Sequence, residues 1–133
     1  MNMISRDERK QQKGLKKLLH SFKYPISGLK YAYRNEQNLA VDVGIALLVI
    51  VFSFIFQVSL IEAAILALTI GLVLAFELVN TAIEAVVDLI TEDYHPLAKV
   101  AKDTSAAAVL VFAIAAVVVG LIIFLPKVID LLF

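Results

Sequence analysis

The side chains best suited to chemistry lie in the run Glu77-Leu-Val-Asn80-Thr81-Ala-Ile-Glu84-Ala-Val-Val-Asp88. Read as a helix, positions 77, 80, 81, 84 and 88 stack on one face. Glu77, Asn80, Glu84 and Asp88 then form a polar stripe, while Leu78, Val79, Ile83, Val86 and Val87 cover much of the rest. Oxygen donors without His or Cys clusters suit a hard cation, and Mg²⁺ takes one or two carboxylates together with substrate phosphates. Phosphoryl transfer needs the same parts, plus a base or orienting group for the attacking hydroxyl and cations for the phosphates. Lys99 and Lys102 sit just past the stripe, and His95 stands between Tyr94 and Pro96, where a lone loop histidine is more often a surface residue. Neither GxxxxGK(S/T) nor GxGxxG occurs, so a phosphotransferase built on this stripe has no P-loop and no protein-kinase glycine loop.

The elements that position the stripe are membrane spans. Of the 133 residues, 61% are hydrophobic and 18% charged, and the mean hydropathy is +0.89, outside the balance of a soluble domain. The first span is expected at about 39–56, apolar except for Asp42 and ending at the Gln57-Val58-Ser59 break. The second is expected at about 61–90 and carries the stripe in its later part; the third, about 105–125, holds no charge and meets Pro126 as a stop. Small residues in the third, among them Ala106, Ala113, Ala116 and Gly120, allow close helix approach. Ahead of the spans, Leu15, Leu18, Leu19 and Phe22 recur among Lys13, Lys16, Lys17 and Lys23, the pattern of an amphipathic helix on a membrane surface. Pro25 and Gly28 are expected to interrupt that helix. The basic N-terminal stretch reads as no signal peptide, and the chain has no cysteine for disulfide or thiol chemistry.

Charge placement sets the orientation. Nine of the twelve Lys and Arg precede Asn35, Lys99 and Lys102 lie between spans two and three, and the connection from Gln57 to Glu62 has none. The positive-inside rule puts the N-terminus in the cytoplasm and the C-terminus outside. Glu36, Asp42, Glu77, Glu84, Asp88 and Asp103 then gather near the cytoplasmic face. Ionisable groups at membrane depth cost several kcal/mol unless solvated or paired, roughly 2.5–3.5 kcal/mol each on insertion scales, and are functional candidates by default.

These residues resemble a known family. The Glu77 to Asp88 run, continued by Tyr94-His95-Pro-Leu-Ala-Lys99-Val-Ala-Lys102-Asp103, closely resembles the signature of the prokaryotic diacylglycerol kinases, and Gly28-Leu-Lys-Tyr-Ala-Tyr-Arg-Asn-Glu36 resembles the family's N-terminal element. The resemblance covers roughly Tyr24 to Leu125. It implies an all-α integral membrane fold: three transmembrane helices and an N-terminal amphipathic surface helix, one domain over residues 1–133, assembled as a homotrimer with shared sites. It also implies phosphorylation of a bilayer lipid alcohol by ATP with Mg²⁺, at the cytoplasmic face of a bacterial plasma membrane and with no nucleic acid partner. By position, Glu77 corresponds to the catalytic base and Asn80 supports the reacting groups. Glu36 and Glu84 correspond to the carboxylates that hold Mg²⁺ and the ATP phosphates, with Lys17, Tyr24, Asp93, Tyr94, His95, Lys102 and Asp103 as nucleotide contacts. Lys17 stands where the family more usually has Arg, and an ammonium cannot reproduce a bidentate guanidinium.

The His-Pro-Leu-Ala-Lys run and the Ile-Ile-Phe-Leu-Pro-Lys close of span three look like the undecaprenol kinase branch, although Asp42 stands where that branch usually has His and Leu39 where it has Phe. Undecaprenol is therefore the expected acceptor, with diacylglycerol the alternative. From other classes, a small cation or proton transport protein would also use intramembrane carboxylates, but the acidic residues cluster at one face and span three lacks an ionisable residue to complete a path. A non-enzymatic assembly subunit would use the stripe only to fix helix register.

Overall fold

The computed structural model describes the backbone from residue 14 and the side chains from residue 20 to the end of the chain. Four helices follow one another: α1 (Leu15–Asn35), α2 (Gln37–Ile55), α3 (Leu60–Ile90) and α4 (Pro96–Leu132). They divide into two compact units, one ending at Asn35 with α1 and one from Glu36 to Phe133 with α2, α3 and α4. No strand occurs among the described residues.

The helix ends follow from local chemistry. Glu36 adopts an extended backbone (φ −106°, ψ 112°) between α1 and α2. After α2 the chain reverses at Gln57, whose φ of 47° is the left-handed conformation that closes this short turn. Ser59 then opens α3 with a capping box: its hydroxyl accepts from the Glu62 N–H at 3.3 Å, and the Glu62 carboxylate accepts from the Ser59 N–H at 2.6 Å. Thr91 ends α3 in an extended conformation. His95 starts α4, its Nδ1 accepting from the Leu97 N–H at 3.2 Å, with Pro96 in the first turn where a missing N–H is harmless.

Two expectations fail at proline. α1 runs unbroken through Pro25 and Gly28, and α4 does not stop at Pro126 but continues to Leu132. A proline removes one backbone bond, and a helix with complete turns on both sides can continue past it with at most a bend. α4 also begins nine residues before the expected start of the third span, because Pro96 to Asp103 forms a charged first section of the same helix rather than a loop.

α2, α3 and α4 are each long and apolar enough to cross a membrane. α3 has 31 residues and is therefore about 46 Å long at 1.5 Å per residue. A hydrocarbon core of about 30 Å takes up roughly 20 of them. Counted from Leu60, that core ends near Asn80, so Glu77 and Asn80 fall at its edge and Glu84 and Asp88 beyond it. In α4 the uncharged stretch from Thr104 to Pro126 lies between Lys102 and Lys127, two side chains able to reach the interfaces.

α4 packs along α3, and α2 packs against α3. Phe76 of α3 stacks on Phe112 of α4 with ring centroids 4.3 Å apart. Phe52 and Phe56 meet Phe124 at 6.3 and 6.1 Å, joining the ends of α2 and α4. Close by in sequence, Lys127 of α4 pairs with Glu62 of α3 at 3.2 Å. Few large apolar side chains are buried, while Leu47, Phe54, Leu68, Val111, Leu121 and many others are exposed. That surface suits lipid or neighbouring helices, since the apolar side chains of a spanning helix need no water-free core of their own.

Candidate active site

Four polar side chains are buried among the described residues: Glu77, Asn80 and Thr81 on α3 and Ser105 on α4. The face predicted from spacing is turned inward from Glu77 to Thr81, half-buried at Glu84 and exposed at Asp88. Glu77 is only 5% exposed, deep burial for a carboxylate at the membrane edge. Its carboxyl lies within electrostatic reach of those of Asp42, Glu36 and Glu84. Thr81 donates to the Glu77 carbonyl at 3.0 Å, which satisfies its hydroxyl within α3.

Asn80 is the bridging group. Its amide N–H donates to Glu84 Oε1 at 3.0 Å, and its amide oxygen accepts from the Ser105 hydroxyl at 2.7 Å. Residues 80 and 84 meet because they are one turn apart on the same face. The bond to Ser105 crosses between helices. Glu84 is half-buried, with one carboxylate oxygen engaged by Asn80. Glu36 is also half-buried, and its side chain makes no capping bond to α2 although it occupies the N-cap position.

At the far end of the stripe, Asp88 joins Asp93, Tyr94, His95, Lys102 and Asp103 in lining an open recess of about 460 Å³ around the start of α4. Here the expected nucleotide contacts come together, with partners the sequence did not reveal. Lys102 pairs with Asp88 across the two helices at 2.5 Å, and Asp103 pairs with Lys99 one turn away on α4. His95 uses Nδ1 in the helix cap, so its Nε2 carries the proton and is the donor that can face outward. Thr91 folds the connection by accepting from the Asp93 N–H at 3.1 Å. On α1, Tyr24 is half-buried and its ring meets that of His20 edge-on at 5.8 Å, whereas the Lys17 side chain lies outside the described residues.

A second space lies along the bilayer direction. An apolar cleft of about 290 Å³ is lined by residues of α2, α3 and α4, including Ala46, Val73, Ala116, Gly120 and Phe124, and Asp42 is the one ionisable residue on its wall. Ser105 is absent from the sequence reading of the site, and Asp42 appears there only as one of the carboxylates gathered at the cytoplasmic face. The hydroxyl of Ser105 could not be matched to Asn80 from spacing, because the contact joins different helices.

Among the described residues no three His, Asp or Glu side chains come together as a preformed metal cage. The donor set nevertheless fits Mg²⁺ delivered with phosphates: Glu84 and Glu36 are half-buried carboxylates near Glu77, and the metal takes its remaining oxygens from the nucleotide and water.

Three crossing helices that bury an acidic stripe at one end, beside a recess with cationic side chains, define a multi-pass helical membrane protein with an ionisable site at the bilayer edge. Comparison with known proteins gives that class a family. The profile described as prokaryotic diacylglycerol kinase matches residues 23–124. The chain is 43% identical over 125 residues to the undecaprenol kinase of Bacillus subtilis, covering 94% of this chain and 99% of that protein. It is 44% identical over 116 residues to the diacylglycerol kinase of Synechocystis, covering 86% of this chain and 66% of that one, and 36% identical over 105 residues to the diacylglycerol kinase of Escherichia coli, covering 79% and 86%. The chain belongs to the prokaryotic diacylglycerol kinase family. It is accordingly a lipid kinase, with a lipid acceptor and a nucleotide phosphate donor.

Proposed function

We propose that this protein transfers the γ-phosphoryl group of ATP to the terminal hydroxyl of undecaprenol, giving undecaprenyl phosphate. The observation that carries the chemistry is the buried Glu77 beside the hydrogen-bonded pair Asn80 and Glu84, at the depth where a lipid alcohol and a water-borne nucleotide can meet. Identity alone does not separate the two acceptors, since the relatives of each kind stand at 43% and 44%. Support for undecaprenol comes from the nearly full-length match to the Bacillus subtilis protein and from the two branch-like sequence runs.

In this reading the lipid chain lies in the apolar cleft with its hydroxyl toward Glu77. The Glu77 carboxylate takes the hydroxyl proton as the new oxygen–phosphorus bond forms and the bond to the β-phosphate oxygen breaks, releasing ADP. Glu84 and Glu36 would hold Mg²⁺, which when bound supplies charge neutralisation for the phosphates. Asn80 keeps Glu84 oriented. Lys102, Asp103, Asp93, Tyr94 and His95 would bind nucleotide in the recess, and the family resemblance adds Tyr24 and Lys17 as nucleotide contacts.

The assembly proposed is a homotrimer with sites shared between subunits. Its support is the sparse interior of a single chain and the broad apolar exposure of the spans. The membrane proposed is the bacterial plasma membrane, with the site in the cytoplasm and residues 1–133 acting as one kinase domain.

Supplying purified protein with ATP, Mg²⁺ and an equimolar mixture of undecaprenol and diacylglycerol tests the acceptor. Undecaprenyl phosphate is expected to dominate the products. Mainly phosphatidic acid would overturn the choice of acceptor, and transfer to neither lipid would overturn the assignment of both.

Orientation is tested separately in this cysteine-free chain. Leu60→Cys, in a position 89% exposed at the first hairpin, and Glu92→Cys, in the second, are labelled in intact cells with an impermeant thiol reagent. Labelling is expected at position 60 and absent at 92. The reverse pattern would face the acidic site away from cytosolic nucleotide and defeat the proposal.

A further inference from the structure

The hydroxyl of Ser105 carries an inference beyond the residues named so far. It is buried at 8% exposure, on the face of α4 that meets the polar stripe, and lies 2.7 Å from Asn80 Oδ1 and 2.9 Å from the Lys102 carbonyl. A helical serine ordinarily satisfies itself on a carbonyl of the preceding turn, which the second contact does. The first contact is shorter and crosses to α3. It also settles which way the amide points: with the NH₂ on Glu84 and the oxygen on Ser105, every group has a complementary partner. The reverse orientation would set the amide oxygen against a carboxylate oxygen.

We infer that Ser105 is a positioning residue for metal binding, its hydroxyl holding the Asn80 amide in the orientation that fixes the Glu84 carboxylate. The inference rests on the proposed role of Glu84 as a Mg²⁺ ligand. It extends the site from one helix to two, because the rotamer of a ligand on α3 then depends on a donor from α4. Groups that orient metal ligands commonly change metal affinity when removed, by about 10–100-fold for direct partners of a ligand. Ser105 acts one step further out, through Asn80, and its share corresponds to one hydrogen bond, roughly 3- to 10-fold.

The experiment measures Mn²⁺ affinity by electron paramagnetic resonance with a non-hydrolysable nucleotide, and titrates Mg²⁺ at saturating ATP and lipid, with the full-length protein in lipid; it compares wild type, Ser105→Ala, Ser105→Thr and Glu84→Gln, and the same shift is expected in the binding and in the rate. Ser105→Ala is expected to raise the Mg²⁺ concentration at half-maximal rate about 3- to 10-fold, with kcat at saturating Mg²⁺ within roughly twofold of wild type. Ser105→Thr keeps the hydroxyl, and its extra methyl has room in the recess that Ser105 lines with Phe76, Val79 and Ala108, so it is expected to restore the wild-type titration. A Ser105→Ala titration that overlays wild type overturns the inference, as does an equal shift in the Ala and Thr variants. Glu84→Gln separates the two levels: a normal Mg²⁺ response there defeats the metal role of Glu84 and the Ser105 inference with it, whereas a shifted response beside an unshifted Ser105→Ala defeats the Ser105 inference alone. Should Ser105→Ala not fold, Ser105→Cys preserves the volume with a much weaker donor and is expected to shift the titration in the same direction, with an unshifted curve overturning the inference.

Discussion

Glu77→Gln is expected to lower kcat by about 10²–10⁴, the usual worth of a positioned general base, while leaving nucleotide binding and assembly close to wild type. The amide has the shape of the carboxyl and cannot accept the hydroxyl proton. Burial sharpens the expectation: at 5% exposure Glu77 has little access to water able to replace it as proton acceptor. It also decides the control. A neutral amide is also easier to bury than a carboxylate, in a place that lies near Asp42, Glu36 and Glu84, so the variant should fold at least as well as wild type. Single-turnover transfer and equilibrium binding of a non-hydrolysable nucleotide analogue separate the two effects. Turnover within tenfold of wild type would remove Glu77 from the role of base, and lost nucleotide binding with normal single-turnover transfer would reassign it to substrate affinity.

The parts of this fold that a one-dimensional pattern can carry are the ones the sequence predicts. Long uncharged stretches identify spans because bilayer thickness imposes a minimum length, and the offsets from Glu77 through Asn80 to Glu84 identify an inward face because helical geometry is fixed. The Ser59 to Glu62 capping box appears in the sequence only as a break after Phe56, yet the same residues account for how sharply α3 begins. Prolines mislead more. At Pro25 and Pro126 a local disfavour of about 3 kcal/mol is outweighed by the helical turns on either side, and both helices continue.

Pairings between helices stay hidden for a different reason. Asp88 with Lys102, Glu62 with Lys127 and Asn80 with Ser105 each join α3 to α4, and which residues meet depends on how the two helices pack rather than on spacing within either. The resemblance to the family implies that Lys102 and Asp103 act together as nucleotide contacts. In the structure each already has a partner of opposite charge, Asp88 and Lys99, on an exposed surface where water screens such pairs and holds them weakly. Bonds that weak exchange readily for a phosphate. The recess carries more carboxylates than ammonium groups, Asp88, Glu92, Asp93 and Asp103 against Lys99 and Lys102, so the proposed nucleotide would have to draw the two lysines away from their acidic partners.

Glu84→Ala is expected to raise the Mg²⁺ concentration needed for half-maximal activity by about 100-fold or more, since even outer partners of metal ligands cost 10–100-fold and Glu84 is proposed as a direct ligand. The effect should exceed that of Glu36→Ala. Glu84 is held by the Asn80 amide at 3.0 Å and so presents a fixed oxygen pair, while Glu36 makes no capping bond to hold its carboxylate in place. A preorganised ligand gives up less entropy on binding and contributes more. Glu84→Asp keeps the charge but shortens the reach by one methylene, which also breaks the bond from Asn80. It is expected to fall between wild type and Glu84→Ala. Mn²⁺ binding followed by electron paramagnetic resonance in the presence of a non-hydrolysable nucleotide gives the affinities without turnover. If Glu84→Ala binds Mn²⁺ as wild type does, or if Glu36→Ala is the weaker binder of the two, the order of the ligands proposed for this site is wrong.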